Sequence, residues 1–96
     1  MKFEWDDEKN KKNIEKHEID FIDAALVFDN PVLEREDSRG DYGEKRFIGI
    51  GILYNIEISV VYTRRRNKIR IISARRASKD ERKKYCSIYQ GNPSKG

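Results

Sequence analysis

At 96 residues the chain makes one domain, too short to divide into two self-sustaining cores. Its 36% hydrophobic and 40% charged residues demand a thin core, while ten aromatic side chains argue against disorder. No apolar run approaches the roughly 18 residues of a membrane-spanning helix, the acidic start lacks a signal core, and the lone Cys86 excludes a disulfide framework or a cysteine zinc site, so a cytoplasmic protein without membrane contact is expected.

In chain order, Phe3-Glu4-Trp5 alternates as a short edge strand does. Asp6 caps a helix predicted over 7–17, with Asp7 and Glu8 in the first turn where the dipole favours acids. Asn10, Asn13, Ile14 and His17 share one face of it, a mostly polar and uncharged stripe that buries little apolar area. A second helix starts after Asp20, with Phe21, Ala24, Ala25 and Phe28 on one stripe and Pro31 closing it. Ile19 and Ala24 are spaced for a hydrophobic staple.

From Val32 the period changes from 3.6 to 2. A short strand is expected over 32–35, then a polar turn region over 36–43. The next strand runs over 45–53, with Ile48, Ile50 and Ile52 on one face and Phe47 out of phase. Tyr54-Asn55 reverses the chain, and Ile56, Ile58, Val60 and Tyr62 then face away from Glu57, Ser59, Val61 and Thr63. Arg65-Arg66-Asn67 turns it again before a last strand over 69–74. Turns this short enforce an antiparallel meander. Ser78-Lys79-Asp80-Glu81 is a capping box that opens a helix over 79–88, and residues 91–96 read as a frayed tail. The class is α+β: two N-terminal helices on a small antiparallel sheet, with a C-terminal helix behind or beside it.

The net charge of +4 hides an uneven spread. Residues 1–63 carry 9 Lys/Arg against 15 Asp/Glu, a net of −6. Residues 64–84 carry 11 Lys/Arg against Asp80 and Glu81, a net of +9. A basic block that includes a hydrophobic strand is a folded electropositive surface, and nucleic acid is the first candidate for its partner. Arg64-Arg65-Arg66 with Lys68 and Arg70 is a basic hairpin able to track a phosphate backbone, or equally to dock an acidic partner. Tyr42, Tyr54 and Tyr62 are candidates for base stacking, though each also suits a strand or turn.

The densest chemistry lies over 71–85. Arg75 and Arg76 at a strand end, beside free helix N–H groups, make a phosphate site. Glu81, Arg82 and Tyr85 fall within one helical turn of each other. The plainer reading of Glu81 is completion of the capping box. His17 is the side chain whose ordinary pKa suits proton transfer near neutrality, although a histidine at a helix end is often only a cap. Cleaving RNA without a metal needs a base for the 2′-OH, cations for the phosphate and an acid for the 5′-oxygen, and such groups are all present.

Phe3-Glu4-Trp5-Asp6, Lys9, Asn13, Lys16-His17, Phe21, Ala24 and Phe28 resemble the opening of BrnT-type toxins of type II toxin–antitoxin pairs. Glu44-x-Arg46, Gly49, Val60-Val61-Tyr62-Thr63-x-Arg65, Arg70-Ile71-Ile72-Ser73-Ala74-Arg75-x-Ala77 and Glu81-Arg82-x-x-Tyr85 continue the pattern in order. The family usually has Gly after its Lys-His pair and this chain has Glu18, so a different turn after His17 is expected. The resemblance implies a RelE-like ribonuclease fold and a metal-independent endoribonuclease that needs no cofactor and slows translation. It also implies a BrnA-type antitoxin with a ribbon-helix-helix domain, joined in a two-to-two or larger complex that binds operator DNA. By resemblance, Arg75, Glu81 and Arg82 are the first site candidates, with His17 and Tyr85 next and Lys9, Arg46, Arg64 and Arg65 as RNA contacts. The helix carrying His17 and the strand end carrying Arg75 then have to converge. A non-catalytic RNA-binding or antitoxin-docking module is the alternative.

Overall fold

The structure, a computed structural model, describes residues 2–40 and 43–89. Tyr42 and the expected tail over 91–96 lie outside the described residues. The order is β1 (Lys2–Trp5), α1 (Asp7–His17), α2 (Phe21–Ala24) running on as a 3-10 turn (Ala25–Asp29), β2 (Leu33–Asp37), β3 (Arg46–Leu53), β4 (Ile56–Arg65), β5 (Lys68–Arg76) and α3 (Lys79–Tyr89). The strands form one sheet in the order β1-β5-β4-β3-β2. The antiparallel meander comprises β2 to β5, but β1 runs parallel to β5 at the far edge, so the sheet is not wholly antiparallel.

Asp6 caps α1 by accepting from the backbone N–H of Glu8 at 2.8 Å and of Lys9 at 3.1 Å. The helix closes with the left-handed turn that glycine favours even though glycine is missing. Glu18 adopts φ 59° and its N–H donates to the Ile14 carbonyl at 2.8 Å. The turn after His17 is therefore of the ordinary kind, contrary to expectation. The polar stripe also has its explanation. The buried Asn13 amide donates to the carbonyls of Ile19 and Ala74, both at 2.9 Å, and its oxygen accepts from the Ala74 N–H at 3.0 Å. Asn10 donates to Asp20 and accepts from the Phe21 N–H. Side-chain hydrogen bonds, rather than apolar packing, seat this face of α1 on β5.

The second helix differs from expectation. One α turn gives way to a 3-10 turn, and the fully buried residues are Phe21, Ala24 and Val27, spaced by three. That spacing matches the 3-10 period rather than 3.6. These residues pack on Ile58, Val60, Tyr62, Ile69, Ile71 and Ala74 of the sheet. On the opposite face Tyr85 of α3 packs with Ile50 and Ala77, against Leu33 and Ile52. Ile48, Ile50 and Ile52 share this α3 face, as their alternation requires, while Phe47, Gly49, Gly51 and Leu53 line the other. Gly49 is needed for space, because a Cβ there would lie 2.7 Å from Val32 Cγ1 and 3.0 Å from the Tyr62 ring.

One irregularity decides where the basic side chains point. Val61 pairs with Ser73 but Tyr62 pairs with Ile71, which leaves Ile72 unopposed. The slip reverses the alternation of β5 beyond it. Arg75 pairs with Ser59 and so faces α3, whereas Arg76 pairs with the core residue Ile58 and faces the α1 side. Among the described residues no helix is long and apolar enough to cross a membrane.

Candidate active site

The end of β5 and the start of α3 are held together by one carboxylate. Glu81 accepts from the Ser78 N–H at 2.8 Å, and its own N–H donates to Ser78 Oγ at 3.2 Å, which completes the capping box. The same carboxylate receives both terminal nitrogens of Arg75, at 2.9 and 3.1 Å. Burial alone would raise the Glu81 carboxyl, but the Arg75 hydrogen bonds and the Ser78 amide outweigh it, so it sits below the usual carboxylate range. It is anionic at neutral pH. Arg75 remains 43% exposed in this pair, so its guanidinium is open to a phosphate.

Arg82 lies on the next part of α3, in a hollow with Glu57, Lys79, Lys83 and Cys86. Glu81 instead borders a groove between α3 and β2 that includes Leu33, Arg35 and Lys84. Tyr85 is buried and its hydroxyl donates to the Pro31 carbonyl at 2.8 Å, while burial pushes its phenol pKa up. Tyr89 repeats the contact, its hydroxyl donating to the Val32 carbonyl at 3.2 Å. Both tyrosines tie α3 to the chain entering β2.

His17 lies on the other side of the sheet. α1 does reach the end of β5, through Asn13 and Ala74, but His17 opens into a cavity lined by Arg76, Leu53, Tyr54 and Ile58. The sequence-predicted residues thus divide: Arg75 and Glu81 touch, Arg82 is next to Glu81 along the helix, and His17 is grouped with Arg76 on the opposite face.

The expected RNA contacts are spread equally widely. Arg64 meets Glu34 at 2.6 Å and lies 5.0 Å above the Phe47 ring. Arg65 meets Glu44 at 3.2 Å and Glu4 at 4.0 Å. Arg46 leaves the α3 face of β3 opposite Asp37, and Lys9 is exposed on α1. Sequence reasoning missed Glu34, which also accepts from the buried Tyr62 hydroxyl, and burial together with that carboxylate raises the Tyr62 phenol pKa well above its usual value. It also missed Glu4, which collects Arg65, Lys68 and Arg70 within 4.0 Å. Acidic residues within the two edge strands, Glu4 in β1 and Glu34 in β2, were the available signal. Among the described residues, no group of three or more His, Cys, Asp or Glu is placed to hold a metal ion.

The sequence model described as "Ribonuclease toxin, BrnT, of type II toxin-antitoxin system" matches residues 5–81. Among solved structures, the crystal structure of the Brucella abortus ribonuclease toxin BrnT is similar, with 30% sequence identity and a TM-score of 0.62. The match covers 82% of this chain and 99% of that one. No curated protein matches the chain significantly.

Proposed function

Because the chain belongs to the BrnT family of ribonuclease toxins of type II toxin–antitoxin systems, we propose that it is a cytoplasmic toxin that cleaves RNA at the Arg75–Glu81 end of the sheet. On this reading cleavage needs no metal, slows translation, and stops when a BrnA-type ribbon-helix-helix antitoxin covers that end in a joint complex able to bind operator DNA. The observation that carries it is the two-pronged Arg75–Glu81 pair at the N-terminus of α3. A guanidinium and free helix N–H groups there favour a phosphate, and the adjacent carboxylate is already ionised.

The chemistry follows from those parts. Arg75 and Arg82 hold the scissile phosphate and stabilise the extra negative charge of the pentacovalent state. An entering phosphate competes for Arg75 and frees one Glu81 oxygen, which accepts the 2′-OH proton as the 2′-oxygen attacks phosphorus. The P–O5′ bond breaks, a 2′,3′-cyclic phosphate is left, and the departing 5′-oxygen takes its proton from solvent. A carboxylate held this low is a weak base, so the cations supply most of the acceleration. Tyr85 serves to fix α3, its hydroxyl being spent on Pro31.

The test is degradation of RNA by the purified chain in EDTA. Glu81→Gln keeps an acceptor for the capping box and should fold normally. We expect it, and Arg75→Ala, to slow cleavage by about 100-fold or more. Wild-type cleavage by both variants would overturn the site. Salt-sensitive RNA binding with intact product would favour the non-catalytic alternative, a reading consistent with how firmly Glu81 is engaged by Arg75 and Ser78.

A further inference from the structure

The cavity that receives His17 has no part in the cleavage proposed above. It lies on the α1 side of the sheet and has a volume of about 350 Å³, within the ~300–1,000 Å³ typical of small-molecule sites. Its floor is apolar, formed by the buried Ile19, Leu53 and Ile58. Around that floor stand His17, Glu18, Asp23, Tyr54 and Arg76. Among the described residues, none of these five side chains makes an ion pair or a hydrogen bond. By contrast, Arg64, Arg65, Arg70 and Arg75 each meet a carboxylate.

The backbone is strained at two of the five. Glu18 has φ 59° and Tyr54 φ 48°. Tyr54 is the first residue of the two-residue reversal between β3 and β4, where Asn, Asp or Gly is favoured and a bulky aromatic ring is not. Neither burial nor a hydrogen bond explains it there, because the side chain is 71% exposed. The Glu18 conformation closes α1, which leaves Tyr54 as the strained residue without a structural account, and strained residues cluster at functional sites.

Taken together, the groups form a recognition set: a flat ring for stacking, two carboxylates that accept, and a guanidinium and an imidazole that donate. Two carboxylates keep a phosphate out of the interior, so the group that enters is a base. We propose that the cavity takes one unpaired nucleobase carrying an exocyclic amino group, from the same single-stranded RNA. Tyr54 stacks on its face, Asp23 and Glu18 accept from the amino group, and Arg76 holds the adjoining phosphate at the rim. Neighbouring residues of a strand alternate, so Arg75 and Arg76 lie on opposite faces of β5, and the slip at Ile72 sets which of them faces the cavity. An RNA crossing the end of the strand meets one on each side. The polymer is taken to be RNA on the strength of the proposed function; the set of groups that reads a base stands apart from it.

The test uses the full chain and two 2′-O-methyl RNA hexamers, of cytidine and of uridine, which cannot be cleaved by attack of the 2′-oxygen. They differ at the base edge in an amino donor against a carbonyl acceptor. Binding by fluorescence anisotropy should favour the cytidine hexamer. Tyr54→Asn places a residue that tolerates the left-handed turn and should weaken that binding by about 5- to 100-fold with the fold intact. Asp23→Asn should erase the preference for cytidine, and Arg76→Gln should lower the slope of log affinity against log salt by about 0.7. Equal binding of the two hexamers, or unchanged affinity in Tyr54→Asn, overturns the proposal. So does a Tyr54→Asn chain that keeps its RNA affinity but loses its protein partner, which would make the cavity a protein-docking site. A wild-type chain that cleaves no RNA, yet prefers cytidine and depends on Tyr54, overturns the nuclease reading and leaves the base pocket standing.

Discussion

Glu18 occupies a position whose backbone its own chemistry disfavours. A left-handed conformation costs a residue with a Cβ about 1–2 kcal/mol, and Glu18 adopts it at φ 59° to close α1. The helix ends there because the 18–20 segment must turn back so that Ile19 enters the core and Asp20 caps α2. Ile19 and Asp20 thus impose the geometry at Glu18, and the missing glycine changes the cost rather than the shape. Glu18→Gly should therefore raise stability by about 0.5–1 kcal/mol, after allowing for the greater entropy that glycine loses on folding. For a domain of this size the gain reads as a melting temperature higher by about 2–8 °C. A lower melting temperature would mean that the Glu18 side chain contributes more than its backbone strain removes.

At the scale of elements, α1 is unusual in being attached by amides. Asn13 satisfies three buried backbone groups, on Ile19 and Ala74, that no apolar residue could satisfy. Asn13→Leu has a similar size but leaves those groups buried without partners, and should cost about 2–4 kcal/mol. Urea unfolding measures this, and a loss below about 1 kcal/mol would show that water replaces the amide. The same seam shows how much the sequence discloses. Caps and periods are local, so α1, α3 and the strands of the meander are legible from Asp6, the capping box and the alternation of β3 and β4. The polar stripe is legible as an oddity, but its meaning depends on Ala74, sixty-one residues away. The Arg75–Glu81 contact is nearly readable, because a capping box fixes Glu81 beside a strand end. The separation of His17 from Arg75 is not, because it turns on one unopposed residue in β5, and a strand with a bulge has the same composition as one without. The 3-10 continuation of α2 is hidden similarly, since Phe21 and Ala24 suit either period until Val27, rather than Phe28, is seen fully buried.

On the scale of the whole molecule, the acidic and basic halves are folded against each other at one end of the sheet. Glu34 and Glu44 meet Arg64 and Arg65, and Glu4 lies among Arg65, Lys68 and Arg70 at 3.7–4.0 Å. Much of the +9 block is therefore offset at the hairpin. At the other end, among the described residues, Arg75 alone has a short carboxylate contact, and Arg76, Lys79, Arg82 and Lys83 are set around the cavity of His17 and the hollow beside α3. Phosphate should be drawn first to that end, with the hairpin joining only after its carboxylates are displaced. Glu4→Gln removes the anion from the centre of three cations. The pairs it breaks are long and partly exposed, so the stability cost should stay below about 1 kcal/mol. RNA affinity should rise several-fold at low salt, and the gain should fade as added salt screens the freed charges. The salt slope should steepen by about 0.7 for each further phosphate engaged. If affinity and slope both stay at their wild-type values, the RNA never reaches the hairpin, and the β5–α3 end alone forms the interface.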